Sequence, residues 1–191
     1  MSIHYPVLLS RPICRYISIG RDVIIRKDTW INVLPDDTRD IKVRLGDNCV
    51  IGPRCTISAK NLISVGKDVI TASSVLLQDH NHAHDDTALP IRQQGVTSGG
   101  RIAIEYGCWI GHGAAIVCNE GDLVIGHNSV VGANSLVTRS FPPYSVIVGN
   151  PARLARKFDP ARGTWVGGEA GRPVVSSSGQ LLSDPEVSSA Q

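Results

Sequence analysis

The chain offers no obvious membrane span. Its apolar opening, Pro6-Val7-Leu8-Leu9, is broken by Arg11 and Arg15, whereas a spanning helix needs about 20 apolar residues. That segment is also a poor secretory leader, and it is expected to cap one end of the fold. Cys-x-x-Cys is absent and the five cysteines are an odd number, so reduced thiols and a cytoplasmic location are expected rather than a disulfide framework. Aromatics make up 5% of the chain, the net charge is +2, and no basic stripe is interleaved with aromatics; a nucleic-acid partner is therefore not expected. A helical period is lacking too, and the 19 glycines recur too often for helix. Only residues 152–158, after Pro151, leave room for a short C-terminal helix.

What the chain does have is a six-residue beat, clearest in Leu45-Gly46-Asp47-Asn48-Cys49-Val50 and Ile51-Gly52-Pro53-Arg54-Cys55-Thr56. An aliphatic leader is often followed by Gly or Ala, and a small residue stands four places later. Leaders fall into triplets: Ile25, Ile31 and a weak Asp37; Leu45, Ile51, Ile57; Val65, Thr71, Leu77; Ile104, Ile110, Ile116; Ile125, Val131, Val137. The first three triplets start twenty residues apart, a solenoid period. Three beats per triplet predict about five triangular coils, one short strand per side, with leaders pointing inward. Cys49, Cys55 and Cys108 occupy the small inward place and read as core filler. The expected domains are a cap at 1–18, a solenoid at 19–158 and a poorly ordered Gly/Ser-rich tail at 159–191, in which Trp165 alone is expected to dock.

This pattern resembles the hexapeptide-repeat acyltransferases. The resemblance implies an all-β, left-handed parallel β-helix. The handedness comes only from the family, because strand twist alone favours right-handed crossovers.

The beat breaks between Leu77 and Ile104, where Asp79-His80-Asn81-His82-Ala83-His84-Asp85-Asp86 packs three histidines and three acids into eight residues. Long loops inside compact domains are usually functional. The segment reads as a solvated polar loop, a metal site or a general base; an imidazole titrating near neutrality can take a proton from an attacking hydroxyl. The family favours the base. In galactoside and maltose O-acetyltransferases the catalytic His follows the last leader of a coil by five, which here is His82. The streptogramin-type acetyltransferases carry a pattern similar to Asn81-His82, Asp85 and Pro90. His80 is implied as a substrate contact or second base, and Asp79 or Asp85 as the group orienting the imidazole. The γ-class carbonic anhydrases share the fold, and Gln78-Asp79 and Ile110-Gly111-His112 echo them, but the further zinc ligand they need falls on Val117. No metal is expected.

After Val137 comes Thr138-Arg139-Ser140-Phe141-Pro142-Pro143, then Gly149-Asn150-Pro151-Ala152, closely similar to the C-terminal signature of the O-acetyltransferases. By position in the family, Ala133, Thr138, Arg139 and Arg156 are implied as acetyl-CoA contacts with Arg153 nearby, the arginines as phosphate partners, and Trp109 and His112 match further cofactor positions, His112 standing where the galactoside enzyme has a Ser. Asn32 has the local register of the galactoside enzyme's sugar-binding Asn, but it falls a coil too early and is not expected to reach the acceptor. The resemblance implies an acyltransferase moving acetyl from acetyl-CoA directly to a hydroxyl of a sugar or glycan, working as a homotrimer with sites between subunits. Amino-sugar N-acetylation is the alternative, and a γ-carbonic-anhydrase-like metal protein or a non-catalytic scaffold are further ones.

Overall fold

The structure, a computed structural model, describes residues 2–4, 7–8 and 11–167. Leaders alternate with outward residues on short parallel strands, as period-2 geometry requires. Strands stack into three faces of nine, six and five strands. Every leader from Ile25 to Val137 is buried except the weak Asp37, which is exposed. Each buried aliphatic contributes about 1.5–3 kcal/mol, and among the described residues they form one continuous core. Where Gly follows a leader, the next coil explains it. A Cβ on Gly52 would lie 2.1 Å from the Ala72 carbonyl oxygen, and one on Gly111 would lie 2.7 Å from the Ala133 amide nitrogen. Cys49, Cys55 and Cys108 are buried at the small inward place, and burial pushes their thiols up, away from reactivity.

The phase of the first coil differs from the twenty-residue spacing. Ile25 pairs with Ile51, not with Leu45; Leu45 pairs with Ile19. The first triplet is therefore Ile19, Ile25, Ile31, and residues 34–42 form an insertion before Leu45. Its length made Ile25 and Leu45 look equivalent. Beyond Val137, Phe141 and Ile147 are buried as further inward residues and bring the solenoid to about six turns, one more than expected. At the other end, Ser2–Ile3 and Val7–Leu8 extend two faces, and buried Ile13 and Tyr16 plug the core. Among the described residues no helix is long and apolar enough to cross a membrane.

The expected helix over 152–158 is instead a strand, Arg153–Asp159, antiparallel to Ser145–Val148. The last coil leaves a row of unpaired backbone N–H and C=O groups, and a strand satisfies them where a one-turn helix cannot. Thr164–Gly167 pairs on in turn, and Trp165 packs edge-on against Phe158 with centroids 5.5 Å apart. The expected boundary at 158 thus falls inside a hairpin; residues 168–191 of the expected tail lie outside the described residues.

Candidate active site

The strand Leu76–Gln78 runs into the histidine segment, which leaves the coil as an antiparallel stem. His82 bridges Val96, the Thr97 amide donates to the Asn81 carbonyl at 2.8 Å, and the Ala83 amide donates to the Gly95 carbonyl at 3.1 Å. Lys60 Nζ donates to the Thr97 carbonyl and ties the returning limb to the coil below. At the tip, the Gln94 amide donates to the carbonyls of Asp86 and Leu89.

Asp79 is fully buried at the root of this stem. Its Oδ1 accepts from the Lys60 amide at 2.7 Å, and its Oδ2 accepts from the amides of Asn61 and Leu62 at 2.8 and 2.9 Å. His80 Nδ1 lies 3.0 Å from Oδ1. Both carboxylate oxygens already serve as acceptors, so Nδ1 is the donor. In the neutral ring this contact selects the Nδ1–H tautomer, whose Nε2 is an acceptor. His80 is 7% exposed. His82 is exposed and makes no side-chain hydrogen bond among the described residues. His84 is exposed, its Nδ1 3.2 Å from the His82 carbonyl oxygen. Asp85 stands exposed near the tip and holds no imidazole among the described residues.

Under the stem lies a cavity of about 370 Å³, with Trp30, Asn32 and Leu34 at one end and His80, Asn81 and His82 at the other. Between them come Ser58 and Gln78. Asn32 pairs with Ser58, and Ser58 pairs with Gln78. One coil does separate Asn32 from the coil carrying the histidines, as counted from the sequence. The cavity is nonetheless long enough that Asn32 lines it together with His82. Asn32 donates to Ser58 Oγ at 3.2 Å, and Gln78 donates to Asn81 Oδ1 at 2.8 Å. The insertion 34–42 is fastened beside Leu34 by Lys42. That buried ammonium donates to Asp36 Oδ2 at 2.6 Å and to the Lys60 carbonyl at 2.7 Å.

The residues implied as donor contacts fall in three places. Trp109 and Arg156 share one outward row of the nine-stranded face, through Val130 and Val146, and exposed Arg153 lies on the same closing strand. His112 and Ala133 sit at the corner after that face, His112 Nδ1 2.7 Å from Ser73 Oγ. Thr138 and Arg139 follow the last strand of the six-stranded face, and the Arg139 guanidinium lies over Phe141 at 4.8 Å. Among the described residues, Arg156 Nε is the one buried side-chain nitrogen or oxygen without a partner.

No protein-family model matches the chain. It is 28% identical over 176 residues to a putative lipopolysaccharide biosynthesis O-acetyl transferase of Escherichia coli, WbbJ, covering 83% of this chain and 88% of that one. It is 30% identical over 144 residues to the Escherichia coli galactoside O-acetyltransferase, covering 75% of this chain and 58% of the relative. The chain is thus similar in sequence to named O-acetyltransferases. A solved structure of AntD, an N-acyltransferase from Bacillus cereus in complex with dTDP and 3-hydroxybutyryl-CoA, superposes with a TM-score of 0.64 at 22% identity over 80% of this chain and 77% of that one. At that identity the likeness speaks for the fold. The expected left-handed β-helix and the acyltransferase class are borne out against these acetyltransferases. Ser58 escaped the sequence reading, and neither Trp30 nor Gln78 was expected to line the acceptor cavity. Their signal was available: Asn32, Ser58 and Gln78 each follow a leader where the other two faces carry mostly Gly or Ala.

Proposed function

We propose that the protein is an acetyl-CoA-dependent O-acetyltransferase acting on a sugar hydroxyl. The observation that carries this is the cavity lined by two histidines on a solenoid akin to a putative lipopolysaccharide O-acetyl transferase along most of its length. His82 takes the proton of the acceptor hydroxyl as its oxygen attacks the acyl carbon, and returns it to the departing sulfur. Acetyl-CoA supplies the activated acyl group as a thioester. A backbone N–H at the coil edge meets the charge that grows on the acyl oxygen. His80, its proton held on Nδ1 by Asp79, presents Nε2 to an acceptor hydroxyl. Asp85 is left as a loop-tip group that acts on the imidazoles only if the loop is packed against another subunit.

Arg156 fits the donor, since its unpartnered buried N–H suits a phosphate oxygen. Trp109 stands in the same outward row, with Val130 and Val146 between them. Thr138, Arg139 and Arg153 are assigned to the same donor by their place in or next to the C-terminal motif, and His112 and Ala133 by family positions upstream of it. That these groups lie on separate faces of one chain supports a homotrimer, in which one subunit's histidines meet a neighbour's donor residues. An exposed apolar row supports it too, with Ile70 at 50% and Trp109 at 53% exposure directly paired.

Release of free CoA from acetyl-CoA in the presence of saccharide acceptors tests the activity. His82→Ala is expected to lower the rate by two to four orders of magnitude while the fold stays intact. An unchanged rate removes His82 as the base. His80 is the second assignment, favoured by its oriented ring, and a collapse in His80→Ala alone selects it.

A further inference from the structure

The cavity is longer than one sugar ring, and its ends differ in chemistry. Trp30 and Asn32 belong to the strand Thr29–Val33. Through Asn32–Ser58–Gln78 they lie two strand spacings from the coil that carries the histidines, about 9.6 Å. A sugar unit resting on Trp30 and one presenting a hydroxyl to His80 or His82 are thus centred on coils two strand spacings apart.

The far end is nevertheless built to hold something. Trp30 lines the cavity and remains 46% exposed, a large flat apolar surface left open on a strand. Beside it stand the Asn32 amide and the Ser58 hydroxyl, already hydrogen-bonded to each other in the orientation that faces the cavity. An aromatic plane next to amide and hydroxyl groups suits a pyranose, whose C–H face packs on the ring while its hydroxyls pair with the polar groups. Leu34 and the Lys42-fastened insertion close that end. No lysine or arginine lines the cavity among the described residues, so the diphosphate of a nucleotide sugar would find no cation there.

We propose that the acceptor is a neutral glycan of at least two linked sugar units. One unit is acetylated at the histidine end, and its neighbour is seated on Trp30, Asn32 and Ser58. This rests on the sugar O-acetyltransferase reading and adds the length of the acceptor and the residues that measure it.

The test is CoA release with matched mono-, di- and trisaccharides of glucose, galactose and N-acetylglucosamine, with dTDP-glucose alongside. In the best series, kcat/KM is expected to rise at least tenfold from one unit to two. Trp30→Ala is expected to remove that gain through KM, with a much smaller loss on the monosaccharide, and to be rescued in part by Trp30→Phe. Equal kcat/KM for one and two units, equal losses on both in Trp30→Ala, or preference for dTDP-glucose would each overturn the proposal. Calorimetric titration of the same saccharides into protein without acetyl-CoA separates this from the reaction. Disaccharide binding that Trp30→Ala abolishes sustains the subsite even if no CoA is released, a result that would count against acyl transfer alone. Absence of both release and binding overturns the subsite as well.

Discussion

Two of the three corners in each coil turn on one residue with a left-handed backbone. Three places after a leader stand Asp22, Asp28, Asn48, Arg54, Asp68, Ser74, Asn128 and Asn134, with φ between 52° and 61°, and Gly107 and Gly113 fill the same place. Asp, Asn and Gly enter that region at least cost, and β-branched residues enter it at most. Asn48→Val is therefore expected to destabilise the protein by about 1–2 kcal/mol. Arg54→Asn, at φ 57°, is expected to be neutral or stabilising. Denaturant midpoints at unchanged m-value check both. The inward places one beat apart were legible in the sequence because burial demands aliphatic or small residues there. The corner place was visible as Asp and Asn but carries no hydrophobic signal, so the beat alone passes over it. The Asp79–His80 contact was legible only as adjacency. That Asp79 also holds three backbone amides depends on where the preceding coil's corner lies, which one strand of sequence does not reveal.

Two elements interrupt the coil, and only the longer announced itself. The histidine segment delays the next leader so far that it could not be missed. The insertion at 34–42 hid because its length restored an apparent twenty-residue spacing between Ile25 and Leu45. Its fastening is electrostatic. Lys42, then the Thr38 hydroxyl, hold the Asp36 carboxyl down at about 2. A carboxyl depressed in the folded state stabilises above its unfolded value, about 3.9, and loses that contribution as pH falls toward its folded value. The insertion is therefore expected to be fully fastened above pH ~4 and to loosen between pH ~4 and ~2. Amide exchange or pepsin cleavage confined to residues 34–42 over that range checks this. Lys42→Met should produce the same loosening at neutral pH. The closing strand Arg153–Asp159 shows the opposite limit of local reading: its sequence tolerates a helix, and the open edge of the last coil decides for a strand.

At the scale of the molecule, one face carries an outward apolar row from Val50 through Ile70 and Trp109 to Val130, more than isolated exposed residues account for. In a trimer this row is covered. Light scattering is expected to give three times the 20.4 kDa chain mass, and Ile70→Asp is expected to reduce it to one chain and to abolish CoA release. A fully active single chain would remove the trimer. The insertions have a different consequence. Leu77 keeps its partners Ile57 and Ile116, and Ile104 keeps Val65 and Ile125, on either side of the histidine segment. The inner ladder does not register how much chain is looped out at a corner. The looped-out histidine segment is thus mechanically decoupled from the ladder that holds the molecule together, and a solenoid of this kind can exchange its corner loops for others, as a tool handle takes different bits, without having to fold anew.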